Sequence, residues 1–344
     1  MVRSRVLTIV AMSLAGLGVL TAPSSAEPSR RMATYRDIPY AAAQPAGSRG
    51  HLLDLYVPVH RQRKPRPLLI VMGGSGWYSD NGKAYAGELA PRFTGAGYVV
   101  AGVSTRSSSQ ALFPAQVHDV KAAIRWLRAH ASTFGVDRRR IAVLGDSSGG
   151  WTALMAGLNR TSEGRVGVTG YPSDVQAVVD LYAPVDFPAM NGQMLPGACA
   201  SFNRHFGLTR CHDDRRSPES ALLGCPVRTC TEKSREANPI TYATSTAPPT
   251  LIVQGARDAL VPPRQSEMLF EALAARCVPA TLYDVPDAGH DKGILAATHE
   301  PARVRQSAGC RPVPGPPTAR VTLTTIERFL AHHLRAGVSG ESPS

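Results

Sequence analysis

The chain has 344 residues, 43% of them apolar, and a formal net charge of +12 at pH 7. That length and apolar content exclude a disordered chain or a miniprotein held only by crosslinks, and suit one large α/β unit with its own core. The positive balance would admit nucleic acid or anionic polymers as partners. The charges are scattered, however, and no aromatic-basic stripe accompanies them, so a solvated basic surface is expected and nucleic acid is not.

Arg3 and Arg5 precede an apolar run from Val6 to Leu20, and Ser24-Ser25-Ala26 offers a small-residue cleavage site. Residues 1–26 therefore read as a secretory signal peptide. The run is short and glycine-containing for a membrane span, so no stable membrane insertion is expected after cleavage. Residues 27–34 read as a disordered lead-in, 27–336 as one domain, and 337–344 as a disordered tail.

His51 to Pro58 alternates in part and ends at a proline, as an early edge strand would. A polar link from His60 to Pro67 leads to Leu68–Met72, an unbroken apolar run of the kind found in strands buried on both faces. It opens into Gly73-Gly-Ser-Gly-Trp77. Glu88 to Thr94 suits a short helix and Gly97 to Val103 a third strand. After Pro114, Val117, Val120, Ile124 and Leu127 recur at helical spacing.

Ile141 to Leu144 is the next buried strand and runs into Gly145-Asp-Ser-Ser-Gly149, which fits G-x-S-x-G with Ser147 at its centre. That pattern needs a sharp strand-to-helix turn, and the residues two before and two after the serine must lack side chains because they pass close together. On its own it is also an ordinary Gly/Ser turn. Ala177–Tyr182, Thr250–Gln254 and Ala280–Val285 read as further strands, the last closing the series; Leu260–Ala275 and Val321–Leu334 read as helices. Strands alternating with helices predict a mostly parallel sheet covered on both faces. Residues 188–238, rich in Cys, Gly and Arg, fit neither period and read as a cap insertion over one end of the sheet.

All six cysteines, Cys199, Cys211, Cys225, Cys230, Cys277 and Cys310, fall in the C-terminal half. An even count behind a signal peptide favours disulfides, and pairing of near neighbours is expected: Cys199–Cys211, Cys225–Cys230 and Cys277–Cys310. Zinc would call for paired C-x-x-C or H-x-x-x-H spacing, which is absent, so no metal is expected.

A serine that attacks a carbonyl needs a base to take its proton and a carboxylate to orient that base. Asp258 lies just beyond the Thr250 strand, in Gln254-Gly-Ala-Arg-Asp258. His290 lies in the loop after the Ala280 strand, in Asp287-Ala-Gly-His290. Loops at the C-terminal ends of parallel strands converge on one edge, so Ser147, Asp258 and His290 can meet despite their separation. Asp186 is a rival orienter, and Asp284 and Asp287 flank the histidine. The Gly-rich loop 73–77 can supply backbone N–H groups to a developing oxyanion, with Gly74 and Ser75, or Ser75 and Gly76, acting beside the amide of Ser148.

The order Ser…Asp…His, the Phe113–Arg128 helix leading to Gly145–Gly150, and the segments Val175–Pro184, Asn238–Ile240 and the Pro-Pro-Thr-Leu-Ile-Val-Gln-Gly255 strand resemble α/β-hydrolase serine esterases. Within them the chain is similar to the acetyl/feruloyl-esterase-like and carboxylesterase groups. The resemblance covers most of the chain and implies an α/β-hydrolase fold and cofactor-free hydrolysis of carboxylic esters through an acyl-enzyme. Two positions depart from it. The family's histidine before the glycine loop is Met72 or Gly73 here, and its His-Gly before the acid is Gln254-Gly255. His118, Asp119 and Arg125 match the family helix and read as structural.

The expected protein is thus a secreted hydrolase of small-molecule or polysaccharide-linked esters, more active as the imidazole loses its proton. A peptidase or amidase of the prolyl-oligopeptidase type shares the sheet and the residue order, though no propeller-sized N-terminal domain is present. A non-catalytic extracellular binding protein on the same fold is the third reading.

Overall fold

A computed structural model describes residues 32–60, 64–313 and 317–335. The expected signal peptide and the C-terminal tail lie outside them. The sheet contains β1 (Met32–Pro39), β2 (Leu52–Pro58), β3 (Arg66–Met72), β4 (Val99–Val103), β5 (Val136–Asp146), β6 (Ala177–Leu181), β7 (Thr250–Gly255), β8 (Ala280–Val285) and β9 (Ala302–Ala308), with two short additions, β10 (Arg311–Pro312) and β11 (Thr318–Ala319). The order is β1-β2-β4-β3-β5-β6-β7-β8-β9, and both short strands pair with β9. From β4 to β8 every pairing is parallel; β1–β2, β2–β4 and β8–β9 are antiparallel.

Helices α1 (Ala86–Gly95), α2 (Ala115–Ala129), α3 (Ser148–Leu158), α8 (Arg264–Ala275) and α9 (Leu323–His333) cover the two faces. The unbroken apolar run in β3 is explained by this double cover. Leu68 and Ile70 join the core that includes Val120, Ile124, Leu154 and Leu269, from α2, α3 and α8. Leu69 and Val71 point the other way, into a core with Leu89, Phe93, Ile326 and Leu330, from α1 and α9. With side chains alternating along a strand, only an all-apolar sequence satisfies both cores.

Several sequence readings are corrected at the margins. Met32–Pro39, partly assigned to the lead-in, is a strand that pairs with β2, so β2 is not at the edge. Its side chains are mostly exposed, so only its backbone registers in the sheet and no hydrophobic period marks it. Ala280–Val285 is not the last strand, because β9 adds antiparallel to it. Residues 187–237 are not irregular: they hold α4 (Phe187–Gln193), α5 (Ala198–Phe206), α6 (Pro218–Leu223) and α7 (Thr231–Ala237). Each makes only two turns or so, too few for a helical period to show.

The three disulfides are the expected near-neighbour pairs, Cys199–Cys211, Cys225–Cys230 and Cys277–Cys310. The first two lie within the segment 187–237, and the third ties the end of α8 to the turn after β9. Asp119 is buried between Arg106 and His51, and Arg125 donates to the carbonyls of Glu163, Val166 and Val168. Both hold the α2 side of the sheet together, in keeping with their structural reading.

Candidate active site

The parallel strands deliver four loops to one edge: 73–77 after β3, Ser147 after β5, Asp258 after β7 and His290 after β8. Ser147 sits at φ 53°, ψ −125°, a conformation L-residues rarely adopt. Two close approaches make this turn possible. A Cβ on Gly145 would run into the carbonyl oxygen of Gly149, and one on Gly149 into the carbonyl oxygen of Met72. Both glycines of the motif are therefore sterically required.

His290 Nε2 lies 2.9 Å from Ser147 Oγ, and His290 Nδ1 lies 2.7 Å from Asp258 Oδ2. With Nδ1 protonated, the ring donates to the carboxylate and accepts from the serine hydroxyl through Nε2. Asp258 is buried, and four donors saturate it. The amides of Leu260 and Val261 donate to Oδ1, both at 2.8 Å, while Gln254 Nε2 and His290 donate to Oδ2. The ring of Tyr182 packs against the imidazole with centroids 4.6 Å apart.

The rival carboxylates are engaged elsewhere. Asp186 accepts from Asn238 Nδ2, Asp284 pairs with Arg303, and Asp287 with His299.

The glycine loop departs from expectation at two donors, Gly74 and Ser75, whose amides are both already hydrogen-bonded. Gly74 N–H donates to Asp146 Oδ1 at 2.9 Å, so it is already committed and not free for an oxyanion. Burial raises the pKa of this Asp146 carboxyl, and the Gly74 amide opposes the rise. The pattern could not show this, because Asp146 was placed only as the variable residue before the nucleophile. Ser75 N–H donates to Ser148 Oγ at 2.8 Å. The amides of Gly76 and Ser148 have no acceptor among the described residues.

Ser147 and His290 open into a cleft of about 260 Å³. Its apolar walls include Phe202 and Phe206 from α5, Pro218 from the start of α6, and Leu260 and Val261. No group of three or more His, Cys, Asp or Glu side chains with metal-binding geometry occurs among the described residues.

A parallel sheet that presents a serine on a strained strand-to-helix turn, with a histidine and an aspartate on later strand ends, defines an α/β-hydrolase. The chain belongs to the BD-FAE family, an α/β-hydrolase esterase family whose profile matches residues 53–273. Esterase LipC of Mycobacterium tuberculosis is 28% identical over 278 residues, covering 77% of this chain and 60% of LipC. Esterase LipQ of the same organism is 28% identical over 283 residues, covering 81% of this chain and 62% of LipQ. The chain thus spans about three fifths of the length of these curated relatives. Among solved structures, a truncated carbohydrate esterase from gut microbiota is similar at a TM-score of 0.65 and 29% identity, over 76% of this chain and 90% of that one.

Proposed function

We propose that this chain is a serine hydrolase of carboxylic esters. Ser147 attacks the ester carbonyl, His290 takes its proton and returns it to the leaving alcohol, and Asp258 holds the imidazole and stabilises its charged form. Water activated by His290 then releases the acyl group from Ser147. The observation that carries the reading is the continuous hydrogen-bonded chain Ser147–His290–Asp258 at the mouth of the cleft. The likeness to esterases LipC and LipQ and to the gut carbohydrate esterase points the same way.

The cleft lies just below the usual size range of pockets for drug-sized ligands, which favours a short acyl group. The alcohol is then a small molecule or a position on a polysaccharide, which extends out of the cleft past the segment 187–237. That segment acts as the cap within a single hydrolase domain. Three disulfides and the leader-like N-terminus favour export to an oxidising compartment. As a test, Ser147→Ala should abolish both hydrolysis of short p-nitrophenyl esters and labelling by a fluorophosphonate. Full activity in that variant refutes the assignment.

A further inference from the structure

Two hydrogen bonds join the glycine loop to the nucleophile turn, one on each side of Ser147. The bond from Gly74 to Asp146 removes an amide from the set that can meet an anion. The bond from Ser75 to Ser148 Oγ takes up a second amide but leaves a replacement donor, because a hydroxyl that accepts still has a proton to give. Ser148 is only 4% exposed, yet it lines the cleft beside Ser147. No acceptor for its hydroxyl proton occurs among the described residues.

We propose that the side chain of Ser148 is itself an oxyanion donor. Its Oγ accepts from the Ser75 amide and gives its proton to the carbonyl oxygen of the substrate, beside the backbone amides of Ser148 and Gly76. The inference rests on the serine-esterase reading and adds to it a catalytic side chain at a position where backbone alone was expected to act. An N–H donating into Oγ polarises the O–H bond and makes it a stronger donor. The interaction strengthens as negative charge gathers on the carbonyl oxygen, so it acts on the transition state more than on bound substrate. It also offsets the engagement of the Gly74 and Ser75 amides, which leaves the loop two amides short.

The alternative is that Ser148 merely latches the loop by occupying the Ser75 amide. The two roles predict opposite results for Ser148→Ala, which removes the hydroxyl and frees that amide. A donor role predicts kcat lower by roughly 10- to 100-fold on p-nitrophenyl acetate, with KM little changed. The rate of fluorophosphonate labelling should fall in parallel, because the phosphoryl oxygen occupies the same site, while complete labelling is still reached. Ser148→Thr, which keeps a hydroxyl, should restore most of the rate, and the thermal midpoint of the alanine variant should stay at the wild-type value. Unchanged or faster turnover by Ser148→Ala overturns the proposal and leaves the esterase reading intact. Activity in Ser147→Ala overturns that reading and this proposal with it.

Discussion

Gln254 Nε2 donates, at 3.1 Å, to the same oxygen of Asp258 that accepts from His290. Gln254 is buried and is held in turn by Ser266, whose hydroxyl donates to Gln254 Oε1 at 2.8 Å. A residue standing where related esterases carry histidine therefore still steers the carboxylate. Gln254→Leu keeps the bulk and removes the donor, leaving Asp258 with three partners. Loss of one such bond is worth about 1–2 kcal/mol, so kcat should fall roughly 5- to 30-fold with KM steady. Steady-state hydrolysis of a short ester would check this, and an unchanged kcat would show the contact to be passive.

Asp258→Asn tests the orienting role directly. The amide fits the same space, but its NH2 group cannot accept from His290 Nδ1 and favours the wrong tautomer. A loss in kcat of about 10³–10⁴ is expected, as for other triads of this kind. A loss of only a few-fold would assign the orienting role to another group.

The nucleophile turn tolerates no methyl group at Gly149, whose added Cβ would meet backbone atoms of Met72 and Gly73. Because those atoms belong to β3 and its loop, relief requires moving the sheet itself. Gly149→Ala should cost about 4 kcal/mol or more and sharply lower soluble yield. Urea unfolding of whatever protein is recovered gives the figure, and a wild-type midpoint would contradict the packing argument.

Asp180 on β6 is fully buried, and its Oδ2 has no hydrogen-bond partner. Burial pushes its pKa up to about 7, against the lesser, opposite pull of the Ala183 amide. Below pH 4 both the folded and unfolded chains hold this proton. As pH rises from about 4 to 7 the unfolded chain releases it first, so stability falls through that window and levels off above it. Asp180→Asn should remove this dependence and raise the melting temperature at pH 8, by an amount on the order of 2–4 kcal/mol in stability. Melting curves at pH 5 and pH 8 for both proteins would decide the matter; parallel shifts in the two would exclude Asp180 as the cause.

The disulfides should differ in what they contribute. Cys277–Cys310 spans 33 residues, Cys199–Cys211 spans 12 and Cys225–Cys230 spans 5. Restriction of the unfolded chain grows with loop length, so removal of Cys277–Cys310 should cost most, on the order of 3 kcal/mol, and removal of Cys225–Cys230 least. Paired Cys→Ser variants measured by chemical denaturation would test the ranking.

The buried strands were legible because double burial leaves an all-apolar signature, as in Leu68–Met72. The nucleophile turn was legible because steric exclusion dictates its glycines. Asp258 and His290 stood out because each follows such a strand. By contrast β1 and β9 were hidden, since backbone pairing at a solvated margin imposes little on side chains. The helices of 187–237 were hidden because two turns are too short to repeat.

The sequence by itself determined the parallel sheet and the strained serine turn, because each is dictated by local sterics or alternating burial. Of the fifteen pairings open to six cysteines, the structure selects the near-neighbour set. Only the tertiary structure decided which amides of the glycine loop are free. That depends on where Asp146 and Ser148 place their oxygens against a segment more than seventy residues earlier in the chain. Hydrogen bonds between distant segments leave no period in a sequence, so the anion-binding side of the site became visible only in three dimensions.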